Sequence, residues 1–556
     1  MSRFWSLSII AGLAIVVSAP DSLRAQSTAA LAGTVTSAAE GAMEGVLVSA
    51  KKEGSTITVT VVSDDGGHFS FPATRLDPGN YALTIRAVGY DLQGPRSVEV
   101  TAGQPASADL KLVKTGNLAR QLSNGEWIMS VPGTDQQKMS LLNCVSCHTL
   151  DRIVRSVHTQ DEFQHGILPR MGSYANQSMP IHPQRRIARR LLEERGTALD
   201  TARERQAAFL SSINLSEGRT WSYQLKTLPR PKGRATRVIY TEYDLPRPTI
   251  EPHDVVVGAD GNAYYSNFGE QTFGMIDPKT GKHTEYAVPD LKKGWPTGML
   301  GLRPDKDGNL WLGMMYQGGI AKFDLANKKF TTWSLPAEMN KDQTQVNMVR
   351  AESASIDGKV WTQNNGFAAI HRLDLKSGTI ESLQPFKAAG VGENHNIYDV
   401  IPDSKNNVYF TDIAAEYIGK VDRDTMKVTL YQMPKKPSGP RRGMMDSQDR
   451  LWFGEYRGNR IGMFDTRTEK FQEWELPTPW TNPYDVAIDK NGEAWTGSMI
   501  NDHVVRLDTK TGKAVEYLLP RETNIRRVFV DNSTTPVTFW VGNNHRASIV
   551  RLEPLD

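Results

Sequence analysis

The sequence predicts a mainly β, multidomain protein: a small β-sandwich, then an α-helical unit, then a seven-bladed β-propeller. Three observations carry this. Residues 28–113 alternate apolar and polar positions in short runs broken by turn signals, residues 185–209 have helical composition, and from residue 236 one pattern recurs seven times. Alternation marks half-buried strands, and a period of 40 to 50 residues marks repeated four-stranded units. A chain of 556 residues is also too long for a single core, so several domains are expected.

Residues 1–25 read as a secretory signal. Arg3 supplies the positive start, residues 9–17 a short apolar stretch, and Ala25 a small residue before a mature chain beginning at Gln26. That stretch is short for a membrane span, and no later segment is apolar enough, so no integral membrane segment is expected after cleavage. A periplasmic or secreted location follows. With 65 basic and 62 acidic residues, the net charge of +3 argues against nucleic acid as a partner.

In residues 28–113, runs such as Gly45-Val46-Leu47-Val48 and Tyr81-Ala82-Leu83-Thr84-Ile85 are separated by Asp65-Gly66-Gly67 and Asp77-Pro78-Gly79-Asn80. Seven or so short strands at this spacing suggest an antiparallel sandwich. Gly33-Thr34-Val35, Asp65-Gly66-Gly67-His68-Phe69, Pro78-Gly79-Asn80-Tyr81 and Val88-Gly89-Tyr90 resemble the carboxypeptidase regulatory-like (transthyretin-like) domain. Members of that family are usually accessory modules, some with a carbohydrate-binding-like fold, and the resemblance implies a spacer here; for the whole chain a carbohydrate- or protein-binding scaffold is a further alternative.

Residues 114–225 carry the only two cysteines, in Cys144-Val145-Ser146-Cys147-His148. In an exported chain a cysteine pair usually makes a disulfide between distant segments, but this pair is three residues apart. Cys-x-x-Cys-His fits covalent attachment of one c-type haem: two thiols add to the vinyl groups and the next imidazole becomes the proximal ligand. A zinc site would need more ligands at matching spacing, and a thioredoxin-like pair would need a βαβ pattern. The stretch resembles a small class I cytochrome c domain, with residues 139–143 as its first helix and residues 205–213 as its last. Gly196 is expected to break the intervening helical stretch in two. The resemblance implies a methionine as sixth ligand. Met179, beside Pro180, suits it better than Met171, and a thioether there suits electron transfer to a redox partner protein.

From residue 236 a strand runs into proline at Pro246, Pro289, Pro336, Pro385, Pro434, Pro477 and Pro520, 43 to 49 residues apart. Between them recur a turn followed by tryptophan (Trp311, Trp361, Trp452, Trp495) and a strand-ending aspartate (Asp277, Asp324, Asp374, Asp422, Asp465, Asp508). Seven proline tails imply seven blades over residues 236–556, and the segment before Pro246 is placed to complete the last blade, removing two sheet edges. The starts of the innermost strands and the ends of the second strands share one rim, which gathers His, Tyr, Arg and carboxylates as a pocket would.

Leu451-Trp452-Phe453-Gly454-Glu455 and Asn459-Arg460-Ile461-Gly462 look like repeats of the streptogramin B (virginiamycin B) lyase family. That family opens cyclic depsipeptides by elimination, with a histidine base and a Mg²⁺ near carboxylates. The resemblance implies catalytic roles for His253 and Glu251 in Glu251-Pro252-His253, with Glu455 as a more distant carboxylate. Asn267 stands where the matching strand-end glutamate belongs, and Glu393-Asn394-His395 is a second Glu-x-His. An elimination needs no electron acceptor, so the haem motif favours a redox protein whose propeller binds a small-molecule substrate or partner. A lyase or hydrolase using His253 and a divalent metal is the alternative.

Overall fold

The structure is a computed structural model describing residue 1 and residues 29–146, 148–169, 196–215, 220–295, 297–392 and 394–556. From Pro252 to Leu518 six antiparallel sheets follow one another, each of four strands in sequence order. Their innermost strands are Pro252–Val257, Leu302–Pro304, Val346–Arg350, Ile397–Pro402, Pro440–Met445 and Pro483–Ile488. Neighbouring innermost strands pack together in succession, and Phe529–Asp531 packs against both Pro483–Ile488 and Pro252–Val257. Residues 238–554 form a β-propeller.

The repeated sequence signals have local physical causes. Trp311, Trp452 and Trp495 each donate Nε1–H at 2.9 Å to an aspartate six residues earlier: Asp305, Asp446 and Asp489. The buried indole is thereby satisfied and the preceding turn pinned. The strand-ending aspartates accept backbone N–H groups two or three residues on, as Asp324 does from Ala326 and Asn327 at 2.9 Å. That is an Asx turn, and it starts each return strand.

Phe529–Asp531, Thr538–Asn543 and Ser548–Pro554 are joined by Val238–Asp244, which pairs with Ser548–Pro554 from Val238↔Pro554 to Asp244↔Ser548. The segment before Pro246 thus supplies the outer strand expected of it. Its other edge carries the N-terminal unit: Ile57–Val62 pairs with it over Ile239↔Val61 to Tyr243↔Ile57. One eight-stranded sheet therefore runs from the last propeller unit into the sandwich, and Ile239 enters the sandwich core beside Val48, Val59 and Phe71. Arg75–Glu553 and Arg86–Asp502, both 2.6 Å, add ion pairs across the junction. The expectation of a mere spacer is corrected here. An exposed propeller edge is covered by a strand from another domain.

The helical unit comprises α1 (Asn124–Ser130), α2 (Asp135–Cys144), α3 (Asp151–Val154) and α4 (Gly196–Ile213). Gly196 opens α4, and residues 185–195, where the preceding helix was expected, lie outside the described residues. Capping boxes start α1 (Ser123 with Glu126) and α2 (Thr134 with Gln137). Trp127, Leu141, Leu150, Phe163 and Leu210 form its core. That core is continuous with Phe268, Met315, Met348, Tyr398, Tyr456, Tyr484 and Met499 of the propeller rim.

Gly125 shows how close this packing is. Its N–H donates to the Ile500 carbonyl at 2.9 Å, and a Cβ there would meet Asn501 Cβ at 2.8 Å. Gly125→Val should push α1 off the rim and lower stability by about 1–3 kcal/mol. Denaturant melts read this directly, and an unchanged midpoint would contradict the packing.

Candidate functional site

The rim formed by the starts of the innermost strands was expected to be an open pocket. Its side chains are buried instead, because the helical unit packs on them: His253 is 0 %, Tyr484 1 % and Arg441 8 % exposed. The Arg441 guanidinium lies 4.6, 4.3 and 3.9 Å from the ring centres of Tyr398, Tyr456 and Tyr484 and donates to Tyr398 Oη at 3.1 Å. Among the described residues no carboxylate pairs with it. The aromatic faces and one hydroxyl stabilise the buried cation.

His253 lies against Phe268 and Tyr484 and donates Nδ1–H to Asp254 at 2.7 Å. Nε2 is buried without a hydrogen-bond partner. Burial pushes the imidazole pKa down to about 3, against the opposing pull of Asp254, so the ring is neutral at physiological pH. Asp254 also accepts both Nη groups of Arg442 at 2.7 Å and the Leu302 N–H at 2.9 Å. Its carboxyl is held well below the usual range by Arg442 and His253, although burial opposes this.

Glu251, on the same strand start as His253, is 2 % exposed. Glu455 belongs to the fifth unit and is engaged by Arg460, whose Nε and Nη2 lie 2.9 and 2.7 Å from its carboxylate. Burial raises its carboxyl to about 7, helped by nearby Glu473 and opposed by Arg460. His395 is bonded to Asp412 at 2.7 Å and stacked on Phe386, and Glu393 lies outside the described residues. Among the described residues no three His, Cys, Asp or Glu side chains stand together to hold a metal ion, so a Mg²⁺ centre is not assembled from Glu251, His253 and Glu455.

The Cys-x-x-Cys-His segment leaves the C-terminus of α2. Cys144 is the last residue of that helix and is buried, and the His148 N–H donates to its carbonyl at 3.2 Å. His148 donates Nδ1–H to the Thr149 carbonyl at 2.7 Å. That bond fixes the tautomer and leaves the lone pair on Nε2, as in metal-ligating histidines, whose other nitrogen is held by a carbonyl or carboxylate. Burial lowers its pKa, which favours the neutral, ligating form. A thiol and an imidazole of this kind fit a covalently attached haem. Cys147, Met171 and Met179 lie outside the described residues.

The propeller grips this segment. Asn524 donates to the Val145 carbonyl at 3.1 Å and Arg526 to that of Ser146. The Asn524 N–H donates to Asn543 at 3.3 Å, and His545, in the loop that follows, lies near enough for His148 to act on it electrostatically. The repeat pattern puts Asn524 and Arg526 on the rim, but their hold on the motif joins residues 379 and 380 apart. Spacing alone could not signal it.

The virginiamycin B lyase family model matches residues 391–554. The carboxypeptidase regulatory-like domain model matches residues 30–113. Among solved structures, the virginiamycin B lyase of Staphylococcus aureus is 21 % identical, covering 57 % of this chain and 99 % of that one with a TM-score of 0.48. A catalytically inactive variant of that enzyme, crystallised with quinupristin, gives the same identity and coverage with a TM-score of 0.49. The extracellular domain of a putative one-component system from B. thetaiotaomicron is 16 % identical, covering 54 % of this chain and 40 % of that one with a TM-score of 0.42. No curated protein matches the sequence. Among the described residues no helix is long and apolar enough to cross a membrane.

Proposed function

We propose that this is an exported c-type haem protein for electron transfer. In this reading a cytochrome c-like unit (residues 114–225) is seated on the rim of a seven-bladed propeller (residues 236–556), with the sandwich of residues 28–113 closing the propeller's outer edge. The count of seven rests on six four-stranded sheets plus the four strands completed by Val238–Asp244. The observation that carries the functional reading is His148, whose Nδ1 is tied to a carbonyl so that Nε2 is left to ligate. Cys144 and Cys147 would hold the haem covalently, His148 would be the proximal ligand, and Met179 or Met171 the sixth. The haem, when bound, supplies one-electron transfer. Asn524 and Arg526 position the motif backbone, while Trp127, Phe163 and Leu210 exclude water behind it.

The family match over residues 391–554 favours a second reading, a carbon–oxygen lyase, in which the base would be His253, outside the matched segment. Its neutral ring and unpartnered Nε2 suit a base, yet the ring is fully buried and Glu455 is engaged elsewhere. One experiment separates the two. Oxidised protein is mixed with a panel of sugars, alcohols and periplasmic metabolites, and separately with quinupristin. We expect haem reduction by a member of the panel and no ring opening. Ring opening with no haem response, lost in His253→Ala, would establish the lyase instead.

A further inference from the structure

The propeller axis has a second mouth, at the ends of the innermost strands, on the face opposite the helical unit. A cavity of about 350 Å³ opens there, lined among others by Arg303, Arg350 and Arg527 and by Glu352, Asp403 and Asp446. We propose that this cavity binds a small zwitterion, an α-amino acid by its chemistry.

The inference comes from which of these groups already have partners. Arg350 is satisfied: it bonds Asp399 at 2.5 and 3.3 Å, Glu352 at 3.1 Å and the Gly443 carbonyl at 2.9 Å. Arg303 and Arg527 are not, although they are only 7 % and 4 % exposed. Arg303 has one long bond, 3.4 Å to the Gly443 carbonyl, lies 3.9 Å from Asp485, and has no partner for Nε. Arg527 Nε lies 3.4 Å from Asp485 and 3.6 Å from Asp254 without hydrogen-bonding to either. Two buried guanidiniums with open donors on one cavity call for an acceptor, and a carboxylate is the group that matches their planar fork.

The three acids differ among themselves. Asp403 is engaged by Asn407 and the Lys405 N–H, and Asp446 by Trp452, Arg450 and the Gln448 N–H. Glu352, its side chain 37 % exposed, bonds Arg350 through Oε1 and leaves Oε2 without a hydrogen-bond partner. An open acceptor for a cation and open donors for an anion thus share one cavity, at the small end of the range for small-molecule sites, ~300–1,000 Å³. Met444 and Val528 add an apolar wall for a side chain.

Calorimetric titration of the full chain with the twenty L-amino acids tests this, each tight binder being compared with its amide and its deaminated acid. At least one amino acid should bind at one per chain, with both single-charge analogues at least tenfold weaker. Glu352→Gln should weaken the amino acid tenfold and leave the deaminated acid unchanged, and Arg303→Gln should weaken both. The analogue comparison needs only the parent protein, so it stands whether or not a variant folds. No amino-acid binding, or a deaminated acid binding as tightly as its parent, would overturn the proposal.

Discussion

Asp254→Asn should destabilise the protein by about 3–5 kcal/mol, the usual consequence of removing one partner of a buried ion pair. The carboxylate is fully buried and accepts from Arg442 twice, from His253 and from the Leu302 N–H, all within 2.9 Å. These partners come from the first, second and fifth units, so one side chain ties the ring across its axis. Asparagine offers one acceptor oxygen and no charge, leaving the buried Arg442 without its bidentate carboxylate. The companion variant Asp254→Asn/Arg442→Met removes the stranded cation and should recover much of the loss. Urea unfolding of both variants measures this, and a single variant within about 1 kcal/mol of the parent would contradict the role given to the pair.

The second large effect concerns Cys144. In a host that matures c-type haem, Cys144→Ser leaves one thioether at most, and Cys144→Ser/Cys147→Ser leaves none. Haem should then no longer travel with the chain through a denaturing gel. The propeller should still melt cooperatively in the double variant, because its strands close on one another and on the sandwich without the motif. Haem that stays attached in the double variant would disprove the assignment of those thiols.

Much of the fold was legible because its signals are local. The proline tails, the tryptophans and the turn aspartates each act within a few residues, as the Asp305–Trp311 bond and the Asp324 turn show. The Cys-x-x-Cys-His motif, from which a haem is proposed, is likewise local, contained in five consecutive residues. What was not legible depends on contacts between distant segments. Val59 opposite Thr241 fuses sandwich and propeller into one sheet, and neither strand announces its partner. The rim read as an open pocket because His, Tyr and Arg suit one, and only the docked helices show why Tyr484 and Arg441 are buried. Arg442 likewise read as a polar rim residue, whereas it sits fully buried against Asp254 across the ring.

The most direct test of the account is the intact mass of the full chain after export and maturation in such a host. The expected species is a chain beginning at Gln26, carrying one covalently bound haem and no thiol open to alkylation. A chain of peptide mass alone, with Cys144 and Cys147 both alkylated, would contradict it.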